Sequence, residues 1–218
     1  MSSQNILVVV AHSDDQIFGP GGTLASYAKQ GKQIHTVIFS YGELSHPHFK
    51  KEVIAKLRVK EAKQADAFLG GMGVTFFGVN EGHFLDKEHF LSSKQKLQDI
   101  FLHLKPQKIF THSSSESHPD HKAVREIVLS AYDDLFQKGL FKSSVYTFDL
   151  YGFRFKNIQK PKLVVDITEV FFKKNSAMKI FKSQKLTLFW LKWIIYWRAI
   201  IAGFRNRVRF AEEFIKER

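Results

Sequence analysis

Continuous apolar runs alternate with amphipathic stretches through the first two-thirds of the chain. Ile6-Leu7-Val8-Val9-Val10 is apolar without interruption, and short, mostly apolar stretches recur at Ile34 to Phe39, Val74 to Phe77, 108–111, Val145 to Phe148 and Leu163 to Ile167. Runs of that length between glycines and polar clusters predict strands buried on both faces. Between them, residues near 20–30, 50–69, 92–104 and 120–137 carry helical periodicity. Gly70-Gly71 provides a stop for the second of these helices, and Pro119 suits the first turn of the fourth. Strands alternating with helices predict an α/β, Rossmann-like fold: one domain over residues 1–218, with a mostly parallel sheet and helices on both faces. In such sheets ligands bind beyond the carboxyl ends of the strands. The stretch from about 169 to 218 reads as a basic, Trp-containing helical region.

Composition narrows the function classes. The chain has 218 residues and no cysteine, which excludes disulfides and thiolate metal sites and suits a reducing, cytoplasmic setting. Met1 to Asn5 has no basic segment, so the first apolar run reads as a strand rather than a signal peptide. Net charge is +12, unevenly spread. Residues 1–150 carry 17 Lys and Arg against 16 Asp and Glu, whereas 151–218 carry 16 against 5. A basic surface there could face solvent, anionic lipid or an acidic partner; nucleic acid is not the expected partner. Trp190, Trp193 and Trp197 lie at helical spacing in an aliphatic stretch. Such a stripe is expected to pack in the core or at a subunit interface, making a homo-oligomer one outcome. Lys192 and Arg198 interrupt it, which argues against a transmembrane span; contact with a membrane surface is the second reading.

Two segments carry the chemistry. Ala11-His12-Ser13-Asp14-Asp15 follows the first strand, and His118-Pro119-Asp120-His121 follows the strand at 108–111. Both fall at the carboxyl edge of the sheet. A hydrolytic metal takes three nitrogen or oxygen ligands and keeps a position open for water. A nearby carboxylate moves the water's proton, and an imidazole stabilises charge developing on a carbonyl. His12, Asp14, Asp15, His118 and His121 contain these parts. His12 and Asp15 can converge on one ion across a tight turn, leaving Asp14 pointing elsewhere, while Asp120 could orient an imidazole. Tyr41 to His48 follows another strand, so Glu43, His46 and His48 become candidates for lining a substrate cleft. Gly19-Pro20-Gly21-Gly22 lacks the glycine spacing of a nucleotide cradle and reads as a tight turn with close helix–sheet packing.

His12-Ser13-Asp14-Asp15 with Gly21-Gly22-Thr23-Leu24-Ala25 resembles the AHPDDE…GGTLA signature of the N-acetylglucosaminyl deacetylase family (LmbE-like, PIG-L). His118-Pro119-Asp120-His121 matches its second signature, HPDH. Arg58-x-x-Glu61, Lys174 with Ala177 and Ser183-Gln184, and Phe210-Ala211-Glu212 with Phe214 resemble weaker family features along the rest of the chain. The resemblance implies that His12, Asp15 and His121 bind Zn²⁺, with Fe²⁺ also admissible. It implies Asp14 as general base, His118 as acid or electrostatic stabiliser with Asp120 holding it, and Arg58 as a substrate contact. The implied reaction is hydrolysis of the N-acetyl group of an N-acetylglucosamine-type sugar or glycoconjugate. An amidase acting on another sugar conjugate, and a non-catalytic binding protein using the basic C-terminal third, are the alternatives. Ser13 and Gln16 depart from the usual proline and glutamate, and Glu81-Gly82 stands where Asp-Gly is common.

Overall fold

A computed structural model describes residues 4–44, 50–151 and 160–218, those at 186–188 by backbone alone. The strands are β1 (Asn5–Val10), β2 (Gln33–Ile38), β3 (Val74–Phe76), β4 (Lys108–His112), β5 (Ser144–Phe148), β6 (Lys162–Asp166) and β7 (Ala211–Lys216). Among the described residues they form one sheet of order β3-β2-β1-β4-β5-β7-β6. The first five strands are mutually parallel, and β7 runs antiparallel to both its neighbours. The fold is therefore α/β with a mostly parallel sheet, as the alternating pattern predicts.

Both faces of β1 are sealed. Ile6, Val8 and Val10 point into one core with α1 (Asp15–Phe18), α2 (Gly21–Lys29), α3 (Lys51–Leu69), α6 (Phe171–Met178) and α7 (Lys185–Arg205). Leu7 and Val9 point into the other, with α4 (Lys87–Leu104) and α5 (Pro119–Gln137). A strand covered twice needs apolar side chains at every position, hence its unbroken run. Helix α3 stops where expected: Gly70 takes φ +98° and its N–H returns to the Asp66 carbonyl. Helix α4 starts at Lys87, five residues before its predicted start, because its exposed first turn carries no periodic apolar signal.

The C-terminal region is not helical throughout. Helices α6 and α7, with a 3₁₀ turn at Lys182–Gln184, account for its first part, but Ala211–Lys216 is a strand slotted between β5 and β6. Its alternation is masked by an inward-facing charge at Glu212. That carboxylate accepts from the amides of Gly22 (3.0 Å) and Thr23 (2.7 Å) at the start of α2. A Cβ on Gly22 would lie 2.8 Å from both Glu212 Oε1 and Ile167 Cδ1, so this position has no room for a side chain. The anion at this glycine-rich helix start is thus the protein's own carboxylate.

Lys174 completes the buried pair. Its Nζ donates to Glu212 Oε1 (2.6 Å) and to the carbonyls of Gly19 (2.7 Å) and Phe18 (3.0 Å), one acceptor for each ammonium hydrogen. Lys174→Met leaves Glu212 buried without its cation and should cost about 3–5 kcal/mol. Urea denaturation should show a lower midpoint, partly recovered in Lys174→Met/Glu212→Gln; an unchanged midpoint in the single variant would refute the assignment.

Candidate active site

Strands β1 and β4 are neighbours at the point where the strand order reverses direction from the centre, and the loops beyond their carboxyl ends meet there. The β1 loop turns at His12–Asp14 into α1, and the β4 loop ends at His118, which caps α5. Three donor atoms converge between them. His12 Nδ1 lies 3.4 Å from Asp15 Oδ2 and 3.3 Å from His121 Nε2, and the last two are 3.4 Å apart. A tetrahedral ion with bonds of about 2.0–2.1 Å requires ligand atoms about 3.3–3.4 Å from one another. The triangle has that size. Two imidazoles and one carboxylate, with Asp15 and His121 buried and His12 partly so, are a donor set suited to a divalent ion.

Each imidazole is held by a carboxylate on its other nitrogen. His12 Nε2 lies 3.3 Å from Asp120 Oδ2, and His121 Nδ1 lies 3.4 Å from Glu116 Oε2. These contacts orient the rings and keep the inward nitrogens unprotonated when an ion occupies the triangle. Asp120 therefore sits differently from expectation: its carboxylate lies against His12, and only its backbone N–H reaches His118, donating to Nδ1 at 3.2 Å. That bond fixes the His118 tautomer. With Nδ1 accepting, the neutral ring carries its proton on Nε2. Burial, and then His12 and His121, hold the His118 pKa below its ordinary value, favouring the neutral form.

Acidic neighbours set the electrostatics of the His12 ring. Burial lowers the tendency of His12 to protonate, yet hydrogen bonds to Asp120 and Asp15 and the fields of Asp15 and Glu81 push its pKa up to about 10. Burial opposes ionisation of Asp15, but the surrounding imidazoles of His121, His112 and His12 hold it well below the usual carboxylate range. His112 is buried, stacks on His121 with centroids 3.9 Å apart, and accepts from the Ala11 amide at 3.1 Å. Its pKa is pushed down to about 4, chiefly by burial.

Asp14 turns away from the triangle. Its Oδ1 meets Arg58 Nη2 at 3.2 Å, and Arg58 Nε donates to Ser13 Oγ at 2.8 Å. Burial raises the Asp14 pKa, Arg58 opposes that rise, and the neighbouring Asp15 charge adds to it. Arg58, implied by the resemblance as a substrate contact, is buried and pairs with Asp14 and Ser13. Ser13, in the place of the usual proline, supplies the hydroxyl that takes one of its donors. Gln16 is buried and donates to the Ser13 carbonyl at 3.0 Å. Glu43 is half-buried beside Glu81, whose Oε1 is 3.9 Å from His12 Nε2. His46 and His48 lie outside the described residues. Two residues absent from the sequence reading join the site. Glu116 sits behind His121 and accepts from the Leu150 amide, and Tyr151 stacks on His121 at 5.8 Å. Neither belongs to a spacing rule; Glu116 carries only the weak signal of a carboxylate two residues before His118.

A family model described as PIG-L, GlcNAc-PI de-N-acetylase, matches residues 7–132, which includes both ligand-bearing loops. The chain belongs to the PIG-L family. Among similar proteins, the 4-oxalmesaconate hydratase of Pseudomonas putida is 26% identical over 84% of this chain and 74% of its own length. The probable N-acetyl-alpha-D-glucosaminyl L-malate deacetylase 2 of Bacillus cereus is 25% identical over 83% of this chain and 84% of its own. The solved N,N'-diacetylchitobiose deacetylase of Pyrococcus horikoshii superposes with a TM-score of 0.79 at 21% identity, covering 99% of this chain and 84% of that one.

Proposed function

We propose that this protein is a metal-dependent hydrolase that removes the N-acetyl group from an N-acetylglucosamine-type sugar conjugate. The observation that carries the reading is the triangle of His12, Asp15 and His121 donor atoms with the Asp14 carboxylate beside it. A divalent ion, Zn²⁺ or Fe²⁺, would supply Lewis acidity for the amide carbonyl and for water. The chain's own residues do the rest. Asp14, steadied by Arg58, takes a proton from the attacking water and returns it to the departing nitrogen. His118 donates its Nε2–H towards the oxygen on which charge develops. Asp120 and Glu116 keep the two imidazoles from turning.

Water addition to a double bond, the reaction that the Pseudomonas relative's name describes, would use the same parts, and charge discriminates between the two. Asp14, Asp15, Glu43, Glu81, Glu116 and Asp120 surround the site, and Arg58 is spent on Asp14. With all six carboxylates ionised, one guanidinium and a divalent ion still leave about three negative charges among the described residues. Each like charge brought within about 6 Å costs roughly 3 kcal/mol at an effective dielectric of 20. A polycarboxylate is therefore a poor guest, whereas a neutral amide yielding an ammonium product is favoured. Acetate release from N-acetylated mono-, di- and lipid-linked glucosamines, run beside water addition to an unsaturated tricarboxylate, tests this. We expect acetate from at least one sugar and no hydration; hydration without acetate would overturn the proposal.

A further inference from the structure

Helix α7 presents a second surface that the reaction does not use. Its Leu191, Ile195, Ala199 and Ala202 are buried against the body of the protein. On the other side Phe189, Trp190, Trp193, Trp197, Ile200 and Phe204 are exposed, from 39% for Ile200 to 86% for Phe204. At 3.6 residues per turn these six fall within an arc of about 100°, opposite the buried one. No charge interrupts that arc. Cations flank it: Lys185 and Lys192 lie towards one edge, and exposed Arg207 and Arg209 follow the helix. From residue 170 to 211 the chain has ten Lys and Arg and no Asp or Glu. A helix apolar on nearly all sides needs something against its outer face, yet among the described residues no helix is long and apolar enough to cross a membrane.

We infer that this face of α7 docks on an anionic lipid bilayer, lying in the interface with its rings among the acyl chains and its cations at headgroup depth. Three occupants compete, and charge and layout choose among them. A second copy meeting this face about a two-fold axis would place basic residues against basic residues, with no acid from 170 to 211 to offset them. A single-stranded nucleic acid would want cations interleaved with the rings along its backbone track, whereas here the rings form an uninterrupted strip. An anionic interface satisfies both features, since a Trp- and Phe-rich face buries into the boundary between headgroups and acyl chains and flanking Lys and Arg meet the lipid charge.

The helix is also linked to the site. Arg198, from the inner side of α7, donates to the carbonyls of Asp149 and Leu150, directly before Tyr151. Leu150 in turn donates to Glu116 behind His121. Helix α7 is thus braced against the loop that borders the triangle of His12, Asp15 and His121. The inference does not depend on which reaction the site performs.

Sedimentation of the full-length protein with vesicles tests it. We expect retention on phosphatidylcholine vesicles containing roughly one-third phosphatidylglycerol, little on pure phosphatidylcholine, and weakening as salt is raised. Tryptophan emission should shift to the blue on binding. Trp193→Ser/Trp197→Ser, at two positions more than half exposed, should weaken partitioning roughly tenfold or more without lowering the melting temperature. Absence of vesicle binding overturns the inference, as does a double variant that still binds fully. A dimer that the same substitutions dissociate, without vesicle binding, would assign the face to a second copy. Preference for a single-stranded oligonucleotide over vesicles would overturn it equally.

Discussion

Asp14→Asn should lower kcat by roughly two to four orders of magnitude, the span expected for losing a positioned proton acceptor, while leaving metal content unchanged. The distinction rests on where the side chain points. Asp14 Oδ1 faces Arg58 Nη2 at 3.2 Å, and its carboxylate is not among the three atoms that form the ligand triangle. An asparagine keeps the shape and still offers Arg58 a carbonyl oxygen, but the amide cannot take a proton. The buried Arg58 keeps a hydrogen-bond acceptor but loses its counter-charge, so the melting temperature should fall, and circular dichroism at the assay temperature serves as the control that the variant is folded. Metal per chain and acetate release, measured on the same preparation, separate a lost base from a lost ligand. Equal turnover in wild type and variant would remove Asp14 from the proposed mechanism. Loss of metal together with activity would instead make Asp14 a ligand.

Asp14 also marks how far sequence carried the site. Three residues within one tight turn, His12, Asp14 and Asp15, cannot all aim at one point, and the fold separates them as that constraint suggests. The parallel strands were equally legible, because double burial writes an unbroken apolar run. What stayed hidden depended on contacts between distant segments. Asp120 was assigned to its sequence neighbour His118, but the helical turn starting at Pro119 swings its carboxylate to His12, 108 positions away. The family resemblance implies Arg58 as a substrate contact, but its pairing with Asp14 and Ser13, which lie on a different element, has no local signal. Strand β7 falls within the stretch that reads as helical, since Glu212 hides its alternation, and the inward charge is explained by Lys174 and the amides of α2. Glu116 had no local pattern, and its role follows from the proximity of the His121 ring.

Removing the His121 imidazole should eliminate bound divalent metal, and with it nearly all turnover, whereas Glu116→Gln should weaken the metal about 10–100-fold and leave turnover recoverable. The difference follows from what each group touches. His121 Nε2 is one corner of the triangle, 3.3 Å from His12 Nδ1 and 3.4 Å from Asp15 Oδ2. A site reduced to one imidazole and one carboxylate cannot close around a tetrahedral ion. Glu116 acts through the ring: its Oε2 lies 3.4 Å from His121 Nδ1, and neither atom has another hydrogen-bond partner among the described residues. The neutral glutamine can still orient the ring but no longer increases its basicity, so metal should bind less tightly with the geometry kept. Metal titration monitored by competition with a chromophoric chelator reads both effects. In His121→Ala added Zn²⁺ should restore nothing, while in Glu116→Gln it should restore most of the lost rate. Unaltered metal affinity in Glu116→Gln would reduce that residue to a purely structural partner of the Leu150 amide. Full metal content in His121→Ala would break the ligand triangle itself, and with it the proposal that His12, Asp15 and His121 form the metal site.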